Sequence, residues 1–228
     1  HIAYTLWNDG YHTAIPDVAA GFELGKKTGI EIPEFEGNIN MNPADINEYV
    51  QMAIGQSTLQ NSPLQIANFI AAVGNGGTLH QPTVVERIGL TGQDPVYQFE
   101  SKEIGKLPVT EENLEAIQEA MTMVIRNPSG TANFQFQNFS WNVAGKTGTA
   151  ENSTGTSHAW FAGYTFEEDP DKPDIAVAII LENAGEGSEM AAPLFRRIVS
   201  LYFTNMENAG GTMPWESAPY TPAQPDEE

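Results

Sequence analysis

The residues best equipped for chemistry stand together in Val143-Ala144-Gly145-Lys146-Thr147-Gly148-Thr149-Ala150-Glu151. A short apolar lead-in runs into a cation, a hydroxyl, a residue with no side chain and a second hydroxyl. In an extended chain, alternate side chains face opposite ways. Thr147 and Thr149 therefore share one side and present two hydroxyls to one carboxylate. Lys146 starts on the other side, but its long stem can curl round a strand edge and bring an ammonium to the same place. Gly148 lets a ligand's backbone lie close, because no Cβ stands in the way. The Thr149 N–H is then a candidate oxyanion donor. Such a set can hold an anionic terminus and stabilise negative charge developing beside it.

The triplet Lys-Thr-Gly is not distinctive by itself, since Lys27-Thr28-Gly29 is a second copy. That copy follows Gly25 and precedes Ile30-Glu31-Ile32-Pro33, so it reads as a turn after a short helix. The Lys146 copy stands just after Trp141-Asn142-Val143 and is followed by two strand-like runs.

The 228 residues fit one large domain or one and a half small ones. A formal charge of −20, with only 10 Lys and Arg against 30 Asp and Glu, excludes nucleic acid as a partner. The acidity reads as solvation, which makes a cation such as Lys146 the more notable. No cysteine is present, so disulfides and thiolate metal sites are excluded. His1, His12, His80 and His158 have no ligand spacing, so no metal is expected, and no cofactor motif occurs. No apolar run is long enough to cross a bilayer, and there is no signal peptide. The chain opens in mid-pattern with His1-Ile2-Ala3-Tyr4-Thr5-Leu6-Trp7, which reads as a piece of something longer.

The elements that must position the lysine stretch follow from periodicity and punctuation. Residues 1–24 read as helical, broken near Asp9-Gly10 and Pro16 and stopped at Gly25. Residues 25–50 read as an irregular surface connection. Ser62 as N-cap, Pro63 at N1 and Gln65 at N3 open a helix with Leu64, Ala67, Ile70 and Ala71 on its apolar face, ended by Asn75-Gly76-Gly77. Residues 78–88 read as extended, with 96–99 as one strand of a small hairpin. A second helix follows Thr110, burying Leu114, Ile117, Met121, Val124 and Ile125, and stops at Asn127-Pro128-Ser129-Gly130. Residues 131–142 read as a surface loop.

Three strand candidates follow, 141–150, 157–166 and 175–181, the last apolar enough to be buried on both faces. Their short polar connections suit an antiparallel meander. Pro193 is expected to open a final helix running to Phe203. The expected architecture is α+β, an antiparallel sheet packed with helices. Residues 1–203 form the domain, and 204–228, rich in proline and acid, form a tail.

Several of these stretches together resemble the penicillin-binding proteins. Gly55-Gln56, Ser62-Pro63-Leu64-Gln65-Ile66-Ala67 and Asn75-Gly76-Gly77 are similar to the family's Gly-Gln, Thr-Pro-Leu-Gln-x-Ala and Asn-Gly-Gly run. Ala144 to Glu151 resembles its third catalytic motif, and His158-Ala159-Trp160-Phe161-Ala162-Gly163-Tyr164 the strand after it. Leu24-Gly25 with Thr28-Gly29-Ile30 also fits. The resemblance extends over roughly residues 20–203. The family's other motifs are Ser-x-x-Lys and Ser-x-Asn. No serine here has lysine three residues on. The single Ser-x-Asn, Ser140-Trp141-Asn142, lies on the same strand run as Lys146 and too far along it to converge on one nucleophile. The resemblance therefore implies the C-terminal portion of a transpeptidase domain, with a fold like that of the penicillin-binding transpeptidases and serine β-lactamases, incomplete in this chain.

It further implies a D,D-transpeptidase that crosslinks peptidoglycan stem peptides through a serine acyl-enzyme. β-Lactams would be its inhibitors, and the N-terminal remainder of the same domain would supply the serine. Lys146, Thr147, Gly148 and Thr149 would bind the substrate, with Lys146 and Thr149 also acting in catalysis. The parent would be extracytoplasmic and membrane-anchored through a segment outside this chain, and the 228 residues alone inactive. A serine β-lactamase, a β-lactam sensor and a non-catalytic acidic binding module are the alternatives.

Overall fold

The computed structural model describes residues 1–153 and 155–204. In chain order the elements are α1 (Ile2–Asn8), α2 (Ala14–Gly21), α3 (Ile46–Met52), α4 (Pro63–Gly74), β1 (Thr78–His80), β2 (Arg87–Ile88), β3 (Tyr97–Gln98) and β4 (Glu103–Lys106). Then come α5 (Glu111–Arg126), a 3-10 turn at Asn133–Gln135, β5 (Val143–Ala150), β6 (His158–Thr165), β7 (Ala176–Leu181) and α6 (Gly187–Phe203). The fold is α+β. Its centre is an antiparallel sheet ordered β5-β6-β7. Val143 pairs with Thr165 and Ala150 with His158, so β5 and β6 are matched along their whole length.

Strand alternation assigns each side chain of β5 to one of two layers. Ala144 joins Tyr164, Ile70, Val73, Leu114 and Met121 beneath α4 and α5. Val143 faces the other way, into a cluster of Phe136, Phe139, Phe161, Phe195 and Val199 formed with α6. The strand is thus fixed by apolar contact on both faces at its start, before the chemical residues begin.

The capping signals at Ser62 and Thr110 are realised. Ser62 Oγ accepts from the Gln65 N–H while Gln65 accepts from the Ser62 N–H at 2.7 Å, closing the box. Gln65 is 2% exposed, and its amide also donates to the carbonyls of Lys26 and Glu36. It ties α4 to the long segment between α2 and α3. Gln65→Leu strips these bonds and leaves the Lys26 and Glu36 carbonyls without that donor. We expect a loss of about 2–4 kcal/mol, read as a lower melting temperature.

Several elements differ from expectation. Pro16 does not break a helix; it lies in the first turn of α2, where no intrahelical N–H is needed. That helix ends at Gly21 rather than at Gly25. The 25–50 connection gives way to α3, capped by Asp45 accepting from the Asn47 and Glu48 N–H groups. The 78–88 run divides into β1 and β2, which belong to different sheets. The expected strand at 96–99 is β3, paired with β2 in a hairpin, and β1 finds its partner in β4, which propensity did not mark.

Residues 131–142 are only partly a surface loop, with Thr131, Phe134, Gln137, Asn138, Ser140 and Asn142 exposed. Ala132, Phe136 and Phe139 are buried, and the Arg126 guanidinium donates to the Phe139 and Trp141 carbonyls. Arg196 donates to Gln135 O, so irregular backbone is satisfied inside the fold. Strand β7 is half-buried rather than enclosed. It packs against α4 and α6 but is an edge strand among the described residues. Helix α6 begins at Gly187 and carries Pro193 inside it. The expected tail, apart from Thr204, lies outside the described residues.

The 25–50 segment is held by carboxylates. Burial pushes Glu34 up, but bonds from the Thr28 N–H and hydroxyl and the Gly29 N–H, with the Lys27 charge, outweigh it and leave the group below its usual value. The Ala44 N–H and the Asn40 amide, helped by the Thr58 hydroxyl, lower Glu48 likewise. A depressed native value means that the charged form is favoured by folding. The stability it adds is present above about pH 4.5 and is lost as pH falls through the native values. Melting temperature should therefore drop between pH 6 and pH 3 more than in a Glu34→Gln, Glu48→Gln variant.

Candidate active site

Strand β5 enters the core at Val143, Ala144 and Gly145, all buried, and emerges at Lys146 and Thr149, both exposed. Gly145 is required by packing: an added Cβ would lie 2.5 Å from Phe161 Cζ. At Gly148 an added Cβ would press against Trp160 Cβ at 3.1 Å. The missing side chain of Gly148 thus accommodates the neighbouring strand as well as leaving its own strand slender.

Lys146 lies on the α4/α5 face, next to a depression of about 330 Å³ shaped with Met123, Asn127, Ser129, Gly130 and Thr131. Its Nζ donates to Thr147 O at 2.6 Å. The stem therefore does curl to the edge of β5 that is unpaired among the described residues, since β6 lies on the other side. Because Thr147 O faces that edge, and residues two apart direct their backbone groups alike, the Thr149 N–H faces it too.

Thr147 and Thr149 lie on the α6 face, and their hydroxyls have separate partners. Thr147 Oγ1 and Thr131 Oγ1 are 2.9 Å apart. Thr149 Oγ1 donates to Glu186 Oε2 at 2.7 Å. Thr131 and Glu186 did not emerge from the sequence. Gly130 reads as the stop after α5 and Thr131 as part of a surface loop, and Gly185-Glu186-Gly187 is assigned no element. For the second segment the signal was Gly187, which closes on the strand, whereas Gly130 packs on the Met123 and Val124 carbonyls of α5. Gly187 is buried at the start of α6, and an added Cβ would overlap the carbonyl oxygens of Trp160 and Gly148 and sit 3.1 Å from Gly148 N.

The other candidates are placed elsewhere. Trp141 of Ser140-Trp141-Asn142 stacks on Phe203 at 4.8 Å between ring centroids, at the far end of α6. That helix has 17 residues, about 25 Å of rise, and its near end is the one against Gly148. The second triplet is a turn, with Gly29 at φ 82°, in which Thr28 and Gly29 enclose the Glu34 carboxylate. Lys146, Thr147, Gly148 and Thr149 therefore form one surface: an ammonium, two hydroxyls and an outward N–H along an open strand edge.

Residues 10–200 match the profile of the penicillin binding protein transpeptidase domain. The chain belongs to this transpeptidase family. Among its relatives, the peptidoglycan D,D-transpeptidase MrdA of Haemophilus influenzae is 28% identical over 225 residues, covering 88% of this chain and 34% of that protein. Penicillin-binding protein H of Bacillus subtilis is 28% identical over 194 residues, covering 79% of this chain and 27% of that one. A chain in the structure of a peptidoglycan synthase complex superposes with a TM-score of 0.72 at 28% identity, over 88% of this chain and 35% of its own length. The transpeptidase-family chain thus spans about a third of the length of such relatives. No helix among the described residues is long and apolar enough to cross a membrane.

Proposed function

We propose that these residues are the substrate-gripping part of a D,D-transpeptidase, an acyltransferase that crosslinks peptidoglycan stem peptides in the cell wall and is acylated by β-lactams. The parent protein is membrane-anchored and works outside the cytoplasm. The observation that supports the proposal is the turn of the Lys146 ammonium onto Thr147 O, at the strand edge that the Thr149 N–H also faces.

The steps follow from that edge. The stem peptide lies along β5, its terminal carboxylate at the Thr147 and Thr149 hydroxyls and within the field of Lys146. Gly148 keeps the approach clear. A serine from the remainder of the domain attacks the penultimate D-alanyl carbonyl, and the oxyanion is received by the Thr149 N–H, a donor worth about 3 kcal/mol in such sites. The C–N bond then breaks and D-alanine leaves with a proton. An amine of a second stem attacks the ester, forms the new amide and frees the serine. A β-lactam offers the same carboxylate and carbonyl, but its leaving amine stays tethered.

The test uses a fluorescent penicillin. The full-length gene product should be labelled covalently, and unlabelled penicillin should block the label. The isolated 228 residues should stay unlabelled at the same concentration. Labelling of the isolated chain would overturn the assignment of the nucleophile to the rest of the domain. Absence of label on the folded full-length protein would overturn the transpeptidase assignment.

A further inference from the structure

We infer that Glu186 is a specificity-determining residue: a built-in carboxylate that competes with an incoming anionic ligand terminus for the Thr149 hydroxyl. The inference rests on the proposed function, and concerns a residue that the acyl-transfer steps above do not use.

A threonine hydroxyl has one O–H to donate. That proton is given to Glu186 Oε2 at 2.7 Å. A ligand carboxylate arriving at Thr149 meets an oxygen whose donor is spent, with a second negative charge behind it. Either Glu186 must rotate away or the two carboxylates must share one hydroxyl. The backbone cannot release Glu186, because Gly187 is seated on Gly148 and Trp160 with no room for even one carbon more. Only the side chain can yield. It is exposed, so rotation into water is cheap and the penalty modest. The Glu186 side chain does not cap its own helix, and its bond is to Thr149.

The experiment measures the second-order labelling rate of the full-length gene product with fluorescent penicillin, an anionic probe, at low and high sodium chloride. Wild type is compared with Glu186→Gln and Glu186→Ala. Both variants should label about three- to tenfold faster at low salt, from the removed repulsion of two charges a few ångströms apart. The gain should shrink at about 0.5 M salt through screening. Two variants of different size guard against a purely steric effect, and rapid labelling itself reports a folded site. Unchanged or slower labelling of both variants, beside a wild type that labels, overturns the role of Glu186 and leaves the transpeptidase proposal standing. A gain indifferent to salt also overturns it. A wild type that does not label removes the transpeptidase proposal and this inference with it.

Discussion

Thr147→Val in the full-length gene product should slow acylation by penicillin about 10- to 100-fold while leaving the melting temperature within a degree or two. Valine keeps the shape and removes the hydroxyl. A hydrogen bond to a charged group contributes about 1.5–3 kcal/mol, which sets the range. Thr147 is half-exposed, so no buried group is orphaned and the fold is spared. Its partner extends the prediction. Thr131 Oγ1 lies 2.9 Å from Thr147 Oγ1 and is itself exposed. Thr131→Val leaves the gripping hydroxyl in place but unheld, so acylation should slow by a smaller factor, about three- to tenfold. Combining the two should cost little more than Thr147→Val alone, since both act through one hydroxyl. Wild-type acylation rates in Thr147→Val would refute the carboxylate role. A fully additive pair would refute the link through Thr131.

Gly187→Ala should be the most damaging alanine substitution among the described glycines. The added carbon overlaps two main-chain oxygens, those of Trp160 and Gly148, and backbone in the middle of a paired sheet has nowhere to move. Helix α6 must lift at its N-terminal end, which loosens Phe195 and Val199 from the aromatic cluster. Overpacking of this kind costs about 2–4 kcal/mol. Acylation should fall as well, because the same movement disturbs β5 at Gly148. Gly105→Ala is the matched control. It lies in strand β4, and nothing lies within 4 Å of its added carbon, so its effect should stay within about 0.5 kcal/mol. Equal melting temperatures for the two variants would show that α6 is not clamped to the strand.

The parts of this fold that were legible from sequence are those with local causes. Ser62, Pro63 and Gln65 carry a capping box within four residues, and α4 begins where they say. The 3.6 period of Leu114, Met121 and Ile125 gives α5 its buried face. What escaped depends on distant partners. Strand β4 exists because β1 lies beside it, and Glu103-Ile104-Gly105-Lys106 has no strand pattern of its own. Phe136 and Phe139 looked like exposed loop until Arg126 and Arg196 were seen holding the carbonyls around them. Pro193 suggested a helix start because proline favours that place. Helix α6 nonetheless begins six residues earlier, where a glycine can meet the sheet.

The candidate site divides the same way. Lys146, Thr147, Gly148 and Thr149 are contiguous, and alternation alone sorts them into faces. Thr131 and Glu186 reach the same strand from segments 16 and 37 residues away, so only the folded chain brings them there.

The most direct test of the whole account is to find where penicillin attaches. The full-length gene product is acylated, digested and mapped by mass spectrometry, with wild type and Lys146→Ala side by side. The account predicts one acylated serine, followed three residues later by lysine and lying outside these 228 residues, with the yield falling by about 100-fold or more in Lys146→Ala. An adduct on any residue within the 228, or an equal yield in both proteins, would contradict it.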